Sequence, residues 1–366
     1  MTININVKLA ENFLDKSKLK MVPTRDGYGK GLIEAGEKDE RIVVLCADLT
    51  ESTRSFLFAE KFPERFIEIG VAEQNMALVA SGMANYGKIP FISSYATFSP
   101  GRNNEQIRTN ICINNVPVKI AGHHAGVSVG PDGATHQALE DIALMRVLPR
   151  MVVVVPCDAI EAQKATMAVA FNNKPSYVRF GREKSPVFTT LETPFEIGKA
   201  TVFRGPEPFG HESRDEALRV EGLVEGQKNI SPSNSSGQQS YDCAIIGCGM
   251  LLYNALLAAE ELSKEGIECI VINSHTIKPI DEKTLIEAAQ KTGAVVSVEE
   301  HQVNGGLGSA VAEVLSKNYP VPQEYIGMQD RFGESGSSDE LIKAFGMGVD
   351  SIKEAVKKVI SRKLNP

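Results

Sequence analysis

The chain has 366 residues, room for two or three domains, and its 42% hydrophobic and 23% charged residues are an ordinary soluble, globular composition. A net charge of −7 argues against a broad nucleic-acid-binding surface, and no apolar run approaches the roughly 18 residues of a membrane span. Cys46, Cys112, Cys157, Cys243, Cys248 and Cys269 form no CxxC pair and sit mostly in apolar runs, which predicts reduced, buried thiols and a cytoplasmic protein.

The N-terminal stretch MTININVKLAENFLDKSKLK is polar, unpatterned and without the apolar core of a signal peptide. Residues 1–22 therefore read as a leader that docks loosely or frays. From Thr24 the pattern is regular. Residues 27–36 read as a helix, and RIVVLCAD (41–48) as a buried parallel strand ending in an acid. A helix over 52–61, a strand over 66–70, a helix over 73–86 and a strand over 89–95 follow. Next come a helix over 103–114, a strand over 117–124, a helix over 138–148, a strand over 151–156, a helix over 159–172 and a strand over 176–181. Strands alternating with helices predict a doubly wound, mostly parallel sheet over 23–188.

After Gly181 the pattern breaks. Residues 182–204 read as a connector with a short hairpin, and 205–240, rich in Gly, Ser and Pro, as an inserted flexible loop, so that 189–240 joins two units. A second α/β unit occupies 241–366. Its strands are expected from Asp242, over 268–273, over 293–299 and over 325–328. Its helices are expected over 250–265 and 282–291, after GGLG (305–308), and from Ser338 and Asp350. The GGLG turn lacks the spacing of a dinucleotide fingerprint and reads as a plain tight turn.

The strand ends of the first unit carry an unusual set of polar groups: Asp48 and Ser52, then Glu73, then Tyr95, Phe98 and Arg102, then His123 and His124. The loop GVSVGPDGATHQ adds Asp132 and His136, and Arg179 lies near the last strand's end. In an open α/β sheet such ends converge on one crevice. Glu73 falls at a strand-to-helix junction, where the helix dipole stabilises a carboxylate. Three of the six histidines lie beside this Gly-rich loop, which suggests proton handling. A metal site is the competing reading. It is weakened because neighbouring His123 and His124 point to opposite faces of a strand and no CxxC or HExxH accompanies them. No GxSxG elbow supports a serine nucleophile.

The ordered strings ADLTES, GVAEQNM, YATF, VGPDGATHQALEDIALMR, SYVRFGR, INSHTIKPID, SVEEH and GGLGSAVAEVL resemble the C-terminal part of transketolase, from about Thr24 to the end of the chain. The resemblance implies two doubly wound α/β domains, a thiamine-diphosphate-binding (pyrimidine) domain followed by a transketolase C-terminal domain. It implies transfer of a two-carbon ketol unit from a ketose phosphate to an aldose phosphate. In the family a glutamate matching Glu73 hydrogen-bonds the cofactor's pyrimidine, a role that needs a buried carboxyl group. Phe98 matches the residue that stacks on the ring, Tyr95 lines its pocket and Asp48 lies near the cofactor. His124 and His136 match histidines that move protons at the substrate, and Asp132 matches an acid that reads a sugar hydroxyl. Arg25, Ser52 and Arg179 match positions that hold the sugar phosphate, for which arginine's planar fork is suited.

One departure matters as much as the match. Enzymes of this kind hold the diphosphate and Mg²⁺ (or Ca²⁺) with a GDG motif followed by an Asn, an oxygen-ligand set for a hard cation. This chain has no GDG, and its PDG belongs to the His136 loop. The resemblance therefore implies the C-terminal subunit of a split transketolase. An N-terminal partner subunit would hold diphosphate and metal, and a dimer of heterodimers is the family expectation. Three alternatives remain open at this point: a deoxyxylulose-phosphate-synthase-like enzyme, the beta subunit of a 2-oxo acid dehydrogenase, and a non-catalytic binding or regulatory subunit.

Overall fold

The computed structural model describes residues 3–206 and 241–363, so all but the first two residues of the insertion expected over 205–240 lie outside the described residues. The first unit runs β1 (Met21–Pro23), α1 (Thr24–Lys38), β2 (Ile42–Cys46), α2 (Phe56–Lys61), β3 (Phe66–Glu68), α3 (Glu73–Asn85) and β4 (Ile89–Tyr95). It continues with α4 (Asn104–Gln106) and a π-helical stretch Ile107–Ile113, then β5 (Lys119–His123), α5 (Asp141–Arg146), β6 (Val152–Val154), α6 (Ala159–Ala170), β7 (Ser176–Arg179) and β8 (Lys184–Pro186). The second unit runs β9 (Thr201–Arg204), β10 (Cys243–Gly247), α7 (Leu252–Lys264), β11 (Cys269–Asn273), β12 (Thr276–Lys278), α8 (Glu282–Thr292), β13 (Val295–Gln302), α9 (Leu307–Asn318), β14 (Gln323–Met328), α10 (Ser338–Ala344) and α11 (Val349–Ser361).

Two sheets result. The first has the order β12-β6-β7-β5-β4-β2-β3 and is parallel except for β12. The second has the order β14-β13-β10-β11-β9 and is parallel except for β9. Apolar runs such as Ile42–Cys46 are buried at every position, as strands covered by helices on both faces must be. From β2 the chain steps to β3 on one side and then to β4 and β5 on the other. That reversal is the switch point where a crevice opens at the strand ends. The glycines of α1 serve packing: a Cβ on Gly27 would lie 2.0 Å from the Ala159 carbonyl oxygen, and one on Gly31 2.7 Å from Thr166, so α1 and α6 approach backbone to backbone.

Four local expectations change. The leader does not fray over its described part: Val7 is buried with Phe188 and Phe203, Asn4 bonds Val202 and Phe203, and Thr190 and Thr193 donate to the Lys8 carbonyl. The connector forms no hairpin; β8 pairs with β1, and β9 joins the second sheet beside β11. The helix expected from Ser52 begins only at Phe56, because residues 50–55 form turns closed by Thr53 and a left-handed Arg54. β12, within the INSHTIKPID string, crosses over to pair with β6 of the first sheet and ties the two units together. The GGLG turn takes no outside anion: the Glu299 carboxylate accepts the N–H groups of Leu307 and Gly308 at 2.7 and 2.8 Å.

Candidate functional site

Glu73 opens α3 after a turn through Gly70, whose φ is +77°. Its carboxyl group is 5% exposed and lies in a cleft of about 580 Å³ lined by Val71, Gln74, Asn75 and Arg102. Arg102 Nη1 approaches both carboxylate oxygens, at 3.3 and 3.4 Å, and its guanidinium lies 4.1 Å over the Phe98 ring. Asn103 fixes the start of the helix by donating to the Glu73 carbonyl. Glu68, not singled out in the sequence, organises the strand ends here. Its carboxylate accepts the N–H groups of Asp48 and Gly70 and the Thr50 hydroxyl. Asp48 itself is exposed, in a left-handed conformation with φ +56°, and its carboxylate makes no bond among the described residues.

Around Phe98, which Arg102 joins to Glu73, the structure gathers four rings. Tyr95 stacks on Phe98 at 5.9 Å and on His124 at 3.8 Å, and His136 meets Tyr95 and Phe98 edge-on at 6.1 and 5.4 Å. Tyr95, Phe98, His124 and His136 thus come together, and Arg102, lying over Phe98, links them to Glu73. His124 is buried, with φ +53°. Burial, with the Arg25 and Arg182 charges nearby, pulls it down to about 3, so it is a neutral imidazole near pH 7. His123 faces the other way. It packs against Tyr28 and Phe180 in the core, neither of its ring nitrogens has a partner among the described residues, and burial holds it well below its ordinary value. Asp132 is exposed on the loop that carries His136, between Gly130 and Gly133, both with positive φ.

A second cleft, of about 450 Å³, opens beside the rings and is lined by Arg25, Asp26, Arg54 and Arg182 together with the 337–339 segment of the second unit. Arg25 donates to the Ser52 carbonyl at 2.9 Å and lies 3.5 Å from His124 Nε2, while its buried Nε has no partner among the described residues. The Ser52 backbone, rather than its hydroxyl, makes this contact. Arg179 is not in the cleft, which corrects the sequence reading. As the last residue of β7 it points into the core, where Nε donates to Asp141 at 2.8 Å and Nη2 to the carbonyls of Ala138 and Glu300. Although burial opposes its charge, Asp141 is held below the usual carboxylate range by Arg179. Arg182, three residues on and past the end of the strand, is the arginine of SYVRFGR that reaches the cleft.

Among the described residues no group of three His, Cys, Asp or Glu side chains could hold a metal ion, and no helix is long and apolar enough to cross a membrane. A buried carboxylate beside an aromatic stack suits a flat nitrogen heterocycle, with the carboxylate as acceptor for a ring N–H. The adjoining cleft, with its guanidiniums, suits an anion.

Comparison with known proteins identifies the family. The family models for the transketolase pyrimidine binding domain and the transketolase C-terminal domain match residues 20–187 and 236–352. The chain is 40% identical over 335 residues to a protein of Methanocaldococcus jannaschii described as "Putative transketolase C-terminal section", covering 91% of this chain and 94% of that one. It is 35% identical to the 6-deoxy-6-sulfo-D-fructose transketolase subunit SqwH of Clostridium sp. (strain MSTE9), covering 98% and 97%. A solved structure described as "Split gene transketolase, inactive beta4 tetramer" superposes with a TM-score of 0.79 at 41% identity, covering 94% of this chain and all of that one. Matched along nearly its whole length by these two domains and by separate subunits that carry them, the chain belongs to the transketolase family.

Proposed function

We propose that this chain is the C-terminal, pyrimidine-binding subunit of a split transketolase. With an N-terminal partner subunit it would transfer a two-carbon ketol unit between sugar phosphates, using thiamine diphosphate. The observation that carries the reading is the single cluster of buried Glu73, the Tyr95–Phe98 stack, His124 and His136 beside an arginine-lined cleft. Bound thiamine diphosphate supplies the electron sink that lets a carbon–carbon bond next to a carbonyl break and re-form.

This chain's residues do the rest. Glu73 accepts the pyrimidine's ring N–H and so sets its tautomer, and Phe98 and Tyr95 hold the ring flat. Asp48, whose N–H is held by Glu68, lies alongside the cofactor. Neutral His124 offers a ring nitrogen to substrate hydroxyls, and His136 exchanges protons with them. Asp132 reads a sugar hydroxyl, and Arg25, Ser52 and Arg182 orient the sugar's terminal phosphate. The diphosphate and Mg²⁺ (or Ca²⁺) fall to the partner, because this sequence has no GDG motif.

The test is co-purification of the tagged chain with its partner, then an assay of ketol transfer from xylulose 5-phosphate to ribose 5-phosphate. Transfer by the pair, and none by either chain alone, supports the reading. Consumption of pyruvate with glyceraldehyde 3-phosphate instead would select the deoxyxylulose-phosphate-synthase alternative. A stable pair that binds no cofactor would select a regulatory subunit.

A further inference from the structure

The turn before α2 places a third guanidinium in the anion cleft. Arg54 has φ +66°, a conformation that a long side chain rarely adopts. It is seated against α1 where that helix has no side chain: a Cβ on Gly29 would lie 3.1 Å from Arg54 Cβ and 3.2 Å from its carbonyl oxygen. Asp26, on the first turn of α1, accepts from Arg54 Nε at 2.7 Å, and Arg54 Nη1 donates to the Glu51 carbonyl at 3.1 Å. These two bonds aim the guanidinium and leave Nη2 without a partner among the described residues. The Asp26–Arg54 pair is about one-third exposed on each side, so an incoming ligand can reach it.

Arg25, Arg182 and Lys184 line the same cleft, as do the carboxylates of Asp26, Glu183 and Asp339. Burial, with the like charges of Arg54 and Arg182, pulls Arg25 below its ordinary value, although Asp26 opposes them. Asp26 and Glu183 each sit beside one guanidinium, Arg54 and Arg182 respectively, and take up only part of its donor fork. A cleft built this way gains most from a ligand that brings two negative charges, since the attraction scales with the ligand's charge. A phosphate ester carries between one and a half and two charges near pH 7, whereas a sulfonate carries one. The distinction bears on this family, in which one relative is named for a 6-deoxy-6-sulfo sugar.

We propose that Arg54 is a specificity-determining residue of this cleft, supplying a third guanidinium that favours a doubly charged phosphate ester over a singly charged sulfonate. The proposal rests on the reading that the cleft receives the substrate's terminal anion. The test is calorimetric titration of the full-length chain at pH 8 with methyl phosphate and, separately, with methanesulfonate. Wild type should prefer methyl phosphate by about tenfold or more, and Arg54→Asn should lose most of that preference. Asn tolerates the left-handed backbone, and Arg54→Gly, which has no such constraint, is the second variant should the first not fold. In the assembled pair the same variant should raise KM for phosphorylated sugars about tenfold with kcat nearly unchanged, because a contact equal in ground and transition states moves KM alone.

Two results would overturn the proposal: a wild type with no preference between the two anions, or a folded Arg54 variant that keeps the wild-type preference. The titration needs no turnover. Absence of ketol transfer by the pair would therefore count against the transketolase function and leave this result standing.

Discussion

Glu300, on β13 of the second sheet, accepts the backbone N–H of Ser128, in the histidine loop of the first unit, at 2.6 Å, and both residues are buried. The loop has no side chain at the next close approach: Gly126 has φ +89°, and a Cβ there would lie 2.2 Å from Glu300 Oε1. A carboxylate of the second unit thus sets the path of the segment that carries Asp132 and His136. Glu300→Ala leaves a buried N–H unpaired and should cost roughly 1–3 kcal/mol in stability. It should also lower kcat/KM about tenfold or more by loosening the loop that orients substrate. Urea unfolding and limited proteolysis within 126–137 check this. A variant whose loop resists cleavage as well as wild type would remove the positioning role.

The two arginines of SYVRFGR should behave oppositely. Arg179 and Asp141 form a pair 6% and 1% exposed, and Tyr177 also donates to Asp141, at 2.5 Å. Arg179→Met strands a buried carboxylate and should destabilise the chain by roughly 3–5 kcal/mol. Arg182→Gln removes a partly exposed charge that donates to the Val129 carbonyl. It should leave the melting temperature nearly unchanged and raise KM for phosphorylated sugars about tenfold. Thermal melts and steady-state kinetics on both variants decide whether the anion contact belongs to Arg182.

These arginines show where the sequence was legible and where it was not. RIVVLCAD announces a buried strand because a strand covered on both faces must be apolar throughout, and its end then locates Asp48 at the crevice. SYVRFGR announces the last strand of the first unit equally well. Which arginine faces the crevice, however, depends on where pairing stops, and β7 ends at Arg179 itself. β12 was invisible for a related reason: its three residues carry no periodicity of their own, and its partner β6 lies more than a hundred residues upstream. Glu68 and Glu300 read as ordinary charged residues in strand-like runs. Their work is to accept backbone N–H groups from other loops, which no local pattern records.

Glu73→Gln tests the centre of the site. The carboxyl group is buried and faces Arg102, and its replacement by an amide keeps shape and an acceptor oxygen. What is lost is the charge that would favour the protonated ring nitrogen. The assembled enzyme should lose about 10²–10⁴-fold in kcat, the range for removing a proton-transfer device. Melting of the chain alone should move little, because the amide keeps the carboxyl group's shape and Arg102, half-exposed, stays solvated without its partner. Retention of near-normal turnover would take the cofactor role away from Glu73.

Acid should weaken the fold before it protonates the site. Burial holds His124 and His275 down to about 3, His301 down to about 4, and His123 well below its ordinary value. In the unfolded chain each takes up a proton near pH 6.5 while its folded counterpart stays neutral, so this stability is complete above pH 6.5 and is lost as pH falls. Glu161, Glu299 and Glu300 work the other way, because burial raises all three, the first two to about 7. Folded, they keep protons that the unfolded chain releases above about pH 4.5, so their contribution grows as pH falls from 7. Four histidines against three carboxylates leave one group unopposed, at about 1.4 kcal/mol per pH unit. The unfolding free energy should therefore drop by roughly 1 kcal/mol between pH 6.5 and 5.5. Glu299→Gln removes one opposing group and should roughly double that drop. Urea titrations at these two pH values measure both slopes, and a wild-type stability that is flat across the interval would show that the histidines are not held neutral by burial.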